Sequence, residues 1–346
     1  MTVAAGLMLA GATSASAENW PSWRGPTQNG ISQETEAPVR WDRETNVAWR
    51  LPLPGSAGAT PVVWGDRIFL TSAAGEATEG GEQKEAAPEN TELVLLAVST
   101  EGKILWRQVV GHGDKTVRGD EGNAASPSPV TDGKHVWAMM ANGALGCYTV
   151  DGKEVWKLDL QERYGKFRIA FGMTATPVLA DGTLFVQLIH GDGSAETQEA
   201  MVVAIDSLTG EGIWQKDRIT GATNENEHSY ASPVLYTDAD RKLLLTHGAD
   251  YTIAYELASG REAFRLGGLN PHDDPNRPYH KTLRFVASPA AVPGMVVVPT
   301  AKNGPVFAIR PQFEGDLTGR EEALIWKRAD NTPDVPSPLI HDGLVY

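Results

Sequence analysis

Residues with side chains suited to catalysis are present in this chain, but they rarely stand at the spacings that catalysis requires. His272, Asp273 and Asp274 could ligate a metal ion, although so short a cluster is far more typical of a solvated loop. The sequence has no Cys and His spacing of a zinc site, no Gly-x-Ser-x-Gly elbow, and no phosphate-binding or EF-hand loop. We therefore predict no catalytic residues and no metal site.

A different group of polar residues could recognise a ligand or a protein through charge and hydrogen bonds. These residues lie in long segments that come before a repeated proline motif, at which a new group of strands begins. The group consists of Arg118, Asp120, Glu121, Asn123, Arg168, Glu227, His228, Tyr230, His280, Lys281 and Arg284. What they can bind depends on the elements that hold them, and the repeats define those elements.

The proline motif marks the start of a unit that recurs along the chain. Each unit begins with a small residue, a proline and two apolar residues, and the prolines stand at positions 61, 129, 177, 233, 289 and 338. In the third unit, β-rich apolar runs at 177–179, 184–189, 201–205 and 212–214 are separated by Gly-containing turns. Four short strands in a unit of about 50 residues are typical of a propeller blade. The sequence predicts an all-β propeller with five four-stranded blades and the start of a sixth.

Each unit ends with a short run that finishes in an aromatic residue, usually after a glycine turn. These residues are Trp106, Trp156, Trp214, Phe264 and Trp326. On the outermost strand of a blade, such a side chain would pack against the neighbouring blade, and the glycine would supply the positive φ of the preceding turn. We predict that these aromatic residues are structural and dock successive blades together.

The segment Ala204–Trp214 resembles the tryptophan-docking motif of PQQ-type propellers, Ala-x-Asp-x-x-Thr-Gly-(Asp/Glu)-x-x-Trp. The opening at 20–26, followed by 29–32, is similar to the start of many secreted bacterial PQQ-binding-like β-propeller repeat proteins. The resemblance covers roughly residues 45–346. It implies a quinoprotein-type, BamB-like propeller. One branch of that family consists of dehydrogenases that bind PQQ in the channel, and the other of envelope scaffolds that lack the cofactor.

The cysteine content favours the scaffold branch. Many of the dehydrogenases have a disulfide between adjacent cysteines in the channel, whereas Cys147 is the only cysteine of this chain. The calcium-holding Glu, Asn and Asp of the dehydrogenases cannot be placed by any motif. We predict a monomeric, non-catalytic scaffold that binds an envelope protein or a small ligand and needs no cofactor. The alternative is a PQQ-dependent dehydrogenase that uses PQQ and calcium in the propeller channel.

The strand order of a blade predicts which face binds the partner. The loop before the first strand and the loop between the second and third strands emerge at the same end, and here they are long. They span 108–125, 157–174, 215–230, 266–286 and 327–335, with insertions at 73–92 and 190–199. The opposite end has tight turns such as Gly65-Asp66. Long loops on a rigid scaffold are the usual place for recognition, although these polar residues could instead only solvate the channel mouth.

The N-terminal sequence predicts export. Residues 1–17 combine a short apolar run with an Ala-x-Ala signal, so we expect a signal peptide that is cleaved before Glu18. The mature protein would then be periplasmic or extracellular. No Cys follows the signal to carry a lipid anchor, and no other segment is apolar enough to cross a membrane. The formal net charge of −14 makes nucleic acid an unfavourable partner.

The remaining sequence divides into an N-terminal extension, 18–45, and the propeller, 46–346. Asn46–Arg50 resembles an outermost strand without inner strands before it, and such a strand commonly closes a propeller by pairing with the last blade. We therefore expect seven or eight blades in the natural product and an open arc from the chain as given. Residues 73–92, rich in Glu and Gly, are predicted to form a mobile surface loop.

Overall fold

The computed structural model describes residues 18–74, 90–113, 123–194, 196–197, 199–270, 279–329 and 332–346, together with the backbone of 76–77 and 83–84. Several predicted features lie outside the described residues. They are the signal peptide at 1–17, the parts of the predicted loop at 78–82 and 85–89, the binding residues Arg118, Asp120 and Glu121, and the short cluster His272–Asp274. No helix in the described ranges is long and apolar enough to cross a bilayer.

The described chain folds into successive antiparallel sheets, which confirms the predicted all-β propeller of four-stranded blades. Blade 1 consists of Val62–Trp64, Arg67–Ala74, Glu92–Ser99 and Ile104–His112. Blade 2 consists of Val130–Thr131, His135–Met139, Ala144–Thr149 and Glu154–Asp159. Blade 3 consists of Val178–Ala180, Thr183–Leu188, Met201–Asp206 and Gly212–Asp217.

Two further complete blades follow the same order. Blade 4 consists of Val234–Thr237, Lys242–Gly248, Tyr251–Glu256 and Glu262–Leu266. Blade 5 consists of Ala290–Val292, Met295–Val298, Val306–Ile309 and Leu324–Arg328. The pair Ile340–His341 and Leu344–Val345 begins a sixth blade.

Several short elements lie outside this four-strand pattern. The additional strands are Gly55–Ser56 on blade 1, Gly315–Asp316 on blade 4, and the separate pair Glu76–Ala77 and Gln83–Lys84. The helical elements are the α-helix Leu160–Tyr164 and the 3₁₀ helices Asn224–Glu227 and Glu321–Ala323. The predicted loop 73–92 is therefore bounded by strands that end at Ala74 and begin at Glu92.

The hydrophobic core lies mainly between neighbouring blades. One cluster packs Trp137 and Met139 of blade 2 against Leu184 and Val186 of blade 3. Successive apolar side chains of these strands point to opposite faces of the sheet, and each face packs against a different neighbouring blade. Outer strands are more exposed, as in Gly212–Asp217. The rigidity of the described fold therefore depends on the contacts between blades.

Docking tryptophans make the same contact at three successive blade junctions. The indole Nε1 atoms of Trp106, Trp156 and Trp214 each donate to a backbone carbonyl of the next blade, 2.9 Å away. A Cβ atom at Gly152 would lie 2.7 Å from the Trp106 ring, and one at Gly260 would lie 2.8 Å from the Trp214 ring. Glycine is therefore required in these turns by contact as well as by φ.

Trp49 makes the equivalent contact with blade 1 from outside any strand. Its Nε1 donates to the Thr100 carbonyl at 2.7 Å, and its ring lies over Gly102. The predicted strand Asn46–Arg50 is absent from the structure. The physical reason is that strand geometry requires a neighbour for the backbone N–H and C=O groups, and the described residues provide none to this segment.

Blade 4 ends differently, and the difference accounts for the phenylalanine in its motif. Gly315–Asp316, from an insertion in blade 5, pairs in parallel with the outer strand at Phe264 and Arg265. Phe264 is fully buried, in the same cluster as Leu317 of that insertion. Trp326, on the outer strand of blade 5, packs against the cluster that contains Ile340 of the sixth blade.

A chain of hydrogen bonds links the inner strands of all six units. The residue before each inner-strand proline is Ser or Thr. In the first five units its backbone N–H donates to the hydroxyl of the equivalent residue in the next unit at 2.9–3.0 Å. We call this set the hydroxyl belt, and its members are Thr60, Ser128, Thr176, Ser232, Ser288 and Ser337. The belt explains why a hydroxyl residue precedes each of these prolines.

The N-terminal extension lies against the inner strands. Trp20 pairs with Val63 of blade 1, and the Pro21 carbonyl accepts from Thr131 N–H of blade 2. The buried guanidinium of Arg24 donates to the carbonyls of Pro289 and Pro338, which begin the inner strands of blade 5 and the sixth blade. Because these strands line the channel side of a propeller, residues 20–24 connect its first blades to its last described ones.

Candidate functional site

The long loops emerge at one end of the blades, as antiparallel strand order requires. Around blade 3, three of them come together: the loop before blade 3, the loop at 190–199 within it, and the loop before blade 4. Their polar side chains contact each other across loop boundaries. We call this group, centred on Gly191–Gly193, the blade 3 loop cluster.

Arg168 is the exposed cation of this cluster. Its side chain is 53% exposed, and Nη1 lies 2.9 Å from Asp192 Oδ2 and 3.2 Å from Glu199 Oε1. Its backbone carbonyl also accepts from Gly191 N–H at 3.0 Å. Arg168 thus fixes the loop at 190–199 and still presents half of its surface to solvent.

His190 lies beneath Arg168 and is almost fully buried. Its ring centroid is 5.3 Å from that of Phe167. Burial lowers the pKa of His190 to about 4, and the positive charges of His228 and Arg168 add to the effect. The imidazole is therefore neutral at neutral pH, and it acts as a packed polar group rather than as a charge.

Glu227 and His228 hold the loop at 190–199 from the other side. Glu227 ends a 3₁₀ turn and is buried, and its Oε2 accepts from Gly193 N–H at 2.5 Å. Burial raises the pKa of Glu227 to about 7, and the charges of Asp192 and Glu199 raise it further, although the bond from Gly193 opposes the rise. His228 Nε2 donates to the Gly191 carbonyl at 3.1 Å.

A second group of the predicted residues lies between the loops before blades 4 and 5. Arg284 Nη1 lies 2.9 Å from Glu225 Oε2, and its guanidinium stands 4.8 Å from the Phe171 ring centroid. Tyr230 stacks at a tilt on the same Phe171 ring. The His280 carbonyl accepts from the buried Asn226 side chain at 2.7 Å. These contacts join three successive loops.

Two predicted residues stand apart from these groups. Asn123 accepts from Ala125 N–H at 2.9 Å, which stabilises its own turn before blade 2. Lys281 is exposed on the loop before blade 5. Sequence reasoning missed His190, Asp192, Glu199 and Glu225, although the length of the insertion at 190–199 indicated the segment that carries most of them.

The charged groups of the loop cluster pair with each other, and no nucleophile stands beside a free base among the contacts described above. No three His, Cys, Asp or Glu side chains in the described ranges come together as a metal site requires. Cys147 is buried, and burial raises the pKa of its thiol to about 12, so it is not a thiolate at neutral pH.

The cofactor implied by the quinoprotein resemblance can be tested against the channel. The described residues supply no carboxylate set for calcium. On the channel side, Trp20 pairs with an inner strand and Arg24 binds the carbonyls of two others. No step is assigned to PQQ or to calcium.

One curated protein with a similar sequence is a distant relative of this chain. The chain is 24% identical over 208 residues to a polyvinylalcohol dehydrogenase from a Pseudomonas species. This match covers 57% of the present chain but 29% of the relative, so the chain spans under a third of that protein's length.

Similar folds occur among the solved structures of known proteins. BamB from Moraxella catarrhalis superimposes with a TM-score of 0.50 at 15% identity, over 86% of this chain and 69% of that one. Quinohemoprotein alcohol dehydrogenase from Comamonas testosteroni superimposes with a TM-score of 0.55 at 14% identity, over 96% and 70%. At such identities the likeness shows the fold alone.

A family model spans most of the chain. Residues 90–346, which include four complete blades and the start of the sixth, match the model described as outer membrane protein assembly factor BamB. The PQQ-like repeat recognised from the docking motif and the propeller fold agree with that match. The chain therefore belongs to the BamB-like family of PQQ-like repeat propellers.

Proposed function

We propose that this protein is a non-catalytic scaffold of the cell envelope that binds a protein partner through its long-loop face. The observation that carries the proposal is the way in which the loops around blades 3, 4 and 5 are fixed to each other. Arg168 bonds to Asp192 and Glu199, and Arg284 bonds to Glu225, so that successive loops form one continuous surface.

A surface of this kind is suited to protein binding because it is already ordered. Loops that are fixed before association lose little conformational entropy on binding, and that entropy is a major cost of forming an interface. The half-exposed Arg168 and the exposed Lys281 and His280 would contact the partner. The more buried Glu227, His228 and Tyr230 would support the loops from beneath.

The proposed location follows from the sequence and the family. A signal peptide at 1–17 would bring the chain across the inner membrane, and the family description names an assembly factor of the outer membrane. A periplasmic site of action is consistent with both. N-terminal sequencing of the mature protein from its host would test the first step, and a chain that retained Met1 would contradict it.

The binding face can be tested by capture from an envelope extract. The full chain and an Arg168→Ala, Lys281→Ala variant would serve as baits, with Lys103→Ala, Lys153→Ala as the matched control on the tight-turn face. Both control lysines are exposed. We expect the first variant to lose a partner that the wild type and the control retain. Loss in the control alone would place the binding surface on the opposite face.

The alternative function is a PQQ-dependent dehydrogenase. The match to a polyvinylalcohol dehydrogenase favours it, although the chain spans 29% of that protein. The purified protein would be incubated with PQQ, calcium, candidate alcohols and an artificial electron acceptor. Dye reduction that depends on both PQQ and an alcohol would overturn the scaffold proposal.

A further inference from the structure

Arg218, which directly follows the outer strand of blade 3, is a buried cation whose hydrogen bonding is incomplete. The residue is 3% exposed. Nε donates to Thr246 Oγ1 at 3.1 Å and Nη2 to the Tyr251 carbonyl at 2.7 Å. Nη1 is buried and has no hydrogen-bond partner among the described residues, and no described carboxylate lies within 4.0 Å of the guanidinium. Leaving such a donor unsatisfied is costly.

Arg218 lines a small cavity beneath the blade 3 loop cluster. The cavity has a volume of about 30 Å³, and its other polar lining residues include His190, Glu199, Glu227 and Thr220. Glu199 Oε1 pairs with Arg168, whereas Glu199 Oε2 is buried without a hydrogen-bond partner, and the nearest ring nitrogen of the neutral His190, Nδ1, lies 3.9 Å from it. One cavity is thus lined by two residues of opposite charge, each with an unsatisfied buried atom.

We propose that this cavity is a binding site for a neutral hydroxyl oxygen, which accepts from Arg218 Nη1 and donates to Glu199 Oε2. Water and the terminal hydroxyl of a small alcohol share this chemistry. An oxygen of this kind is the smallest group that is both donor and acceptor, and it would satisfy both atoms at once. The volume limits the occupant to one or two oxygen-sized groups, since one water needs about 10–15 Å³.

The charges around the cavity exclude the other ligand classes. An anion would meet the carboxylates of Glu199 and Glu227, and the negative charge of Asp192 also acts on Glu227. A cation would meet Arg218, with Arg168 on the outer side of Glu199. His190 is buried and neutral, so it adds no charge. A neutral group with a donor and an acceptor is the class that fits all of these neighbours.

The bridge would have a structural consequence for the loop face. Glu199 belongs to the loop at 190–199, and Arg218 is anchored to the second and third strands of blade 4 through Thr246 and Tyr251. A bound hydroxyl would therefore connect the loop of one blade to the body of the next. This inference does not depend on the identity or existence of a protein partner.

High-resolution crystallography of the full chain tests the site directly. In crystals free of small alcohols, we expect an oxygen-sized peak within hydrogen-bond distance of both Arg218 Nη1 and Glu199 Oε2, which would identify water as the source. Replacement of that peak by methanol after soaking would show that an alcohol can also supply the hydroxyl. An anomalous peak after a bromide soak, or no peak that contacts both atoms, would overturn the proposal.

A double-mutant cycle tests the same bridge in solution. We expect Glu199→Gln and Arg218→Met to lower the melting temperature, and the double variant to lose less than the sum of the two shifts, because each change breaks the same bridge. Glu196→Gln, at an exposed position on the same loop, is the matched control and should add independently to Arg218→Met. If the shifts of Glu199→Gln and Arg218→Met were also strictly additive, that result would overturn the proposal. The crystallographic result decides if Arg218→Met does not fold.

Discussion

The backbone N–H of Ser232 donates to the hydroxyl of Ser288 at 2.9 Å, although the two residues are 56 positions apart in sequence. The same bond joins Thr176 to Ser232 across the preceding blade junction. Ser232 therefore serves as acceptor for one blade and as donor to another, at a buried position next to the channel. The hydroxyl belt holds the inner strands together, where the docking tryptophans hold the outer ones.

Removing one hydroxyl of the belt should destabilise the protein. Ser232→Ala leaves the buried Thr176 N–H without its acceptor, and we expect the free energy of unfolding to fall by about 1–3 kcal/mol. Ser232→Thr keeps a hydroxyl, as Thr176 does naturally, and should cost much less. Urea denaturation of the three proteins makes the comparison, and equal losses in both variants would refute an acceptor role for the hydroxyl.

The contact between Gly260 and Trp214 predicts a difference between two glycine substitutions. Gly260→Ala and Gly294→Ala both place a side chain at positive φ, at +64° and +82°, which costs about 1–2 kcal/mol. The new Cβ at 260 also meets the Trp214 ring at 2.8 Å, whereas nothing lies within 4 Å of the one at 294. We expect Gly260→Ala to lower the melting temperature further. Equal shifts would mean that the indole moves aside freely.

Glu227 should make stability depend on pH. Its pKa is about 7 in the folded protein against an ordinary 4.5, so the folded state binds this proton more tightly than the unfolded chain does. Stability from this group is therefore present below about pH 4.5 and is lost as the pH rises to about 7. We expect wild type to lose stability relative to Glu227→Gln across that window. The difference in urea midpoint reports it, and a difference independent of pH would contradict the assignment.

The urea midpoints of wild type and Glu227→Gln must be compared at each pH because neighbouring groups titrate in the same pH range. Burial lowers the pKa of His190 to about 4, so its contribution to stability is lost as the pH falls below its ordinary 6.5. This effect has the opposite sign to that of Glu227. It is present in both proteins and cancels in the difference to the extent that the two sites are uncoupled.

Arg24 should stabilise the arrangement of the blades from the channel side. Its guanidinium donates to two carbonyls that begin separate inner strands, and hydrogen bonds from charged groups are worth about 1.5–3 kcal/mol. We expect Arg24→Ala to lower the free energy of unfolding by that amount and to expose the segment at 20–31 to proteolysis. Arg43→Ala, an exposed position of the same extension, is the control. If Arg24→Ala left the stability unchanged, that result would contradict a stabilising role for the hydrogen bonds from Arg24 to the two inner strands.

The blades could be predicted from the sequence because their determinants are local. The proline before the first strand, the Gly-containing turns and the final aromatic residue all act within one unit of about 50 residues. The predicted runs at 177–179 and 184–189 correspond closely to the strands Val178–Ala180 and Thr183–Leu188. The prediction of a strand at Asn46–Arg50 was wrong. The residues resemble those of an outermost strand, but the described residues offer this segment no partner for its backbone hydrogen bonds.

The site and the links between units could not be predicted in the same way. Glu199 contacts Arg168 from 31 positions away, and nothing in either local sequence indicates the pairing. The partner of Phe264 comes from an insertion in the next blade. The sequence pattern identified the serine or threonine of the proline motif only as a small residue. Its role as a hydrogen-bond acceptor depends on the distance between blades, which only the assembled fold determines.

The hydroxyl belt has a direction. Every hydrogen bond of the belt has its donor in one unit and its acceptor in the following unit. A unit inside the series therefore donates to the unit after it and accepts from the unit before it. Such a head-to-tail interface is the kind that generates rings by repetition. A gene duplication that copied one whole unit in frame would therefore copy both the donor and the acceptor of the belt. The number of blades could then change in evolution without a new kind of contact between blades.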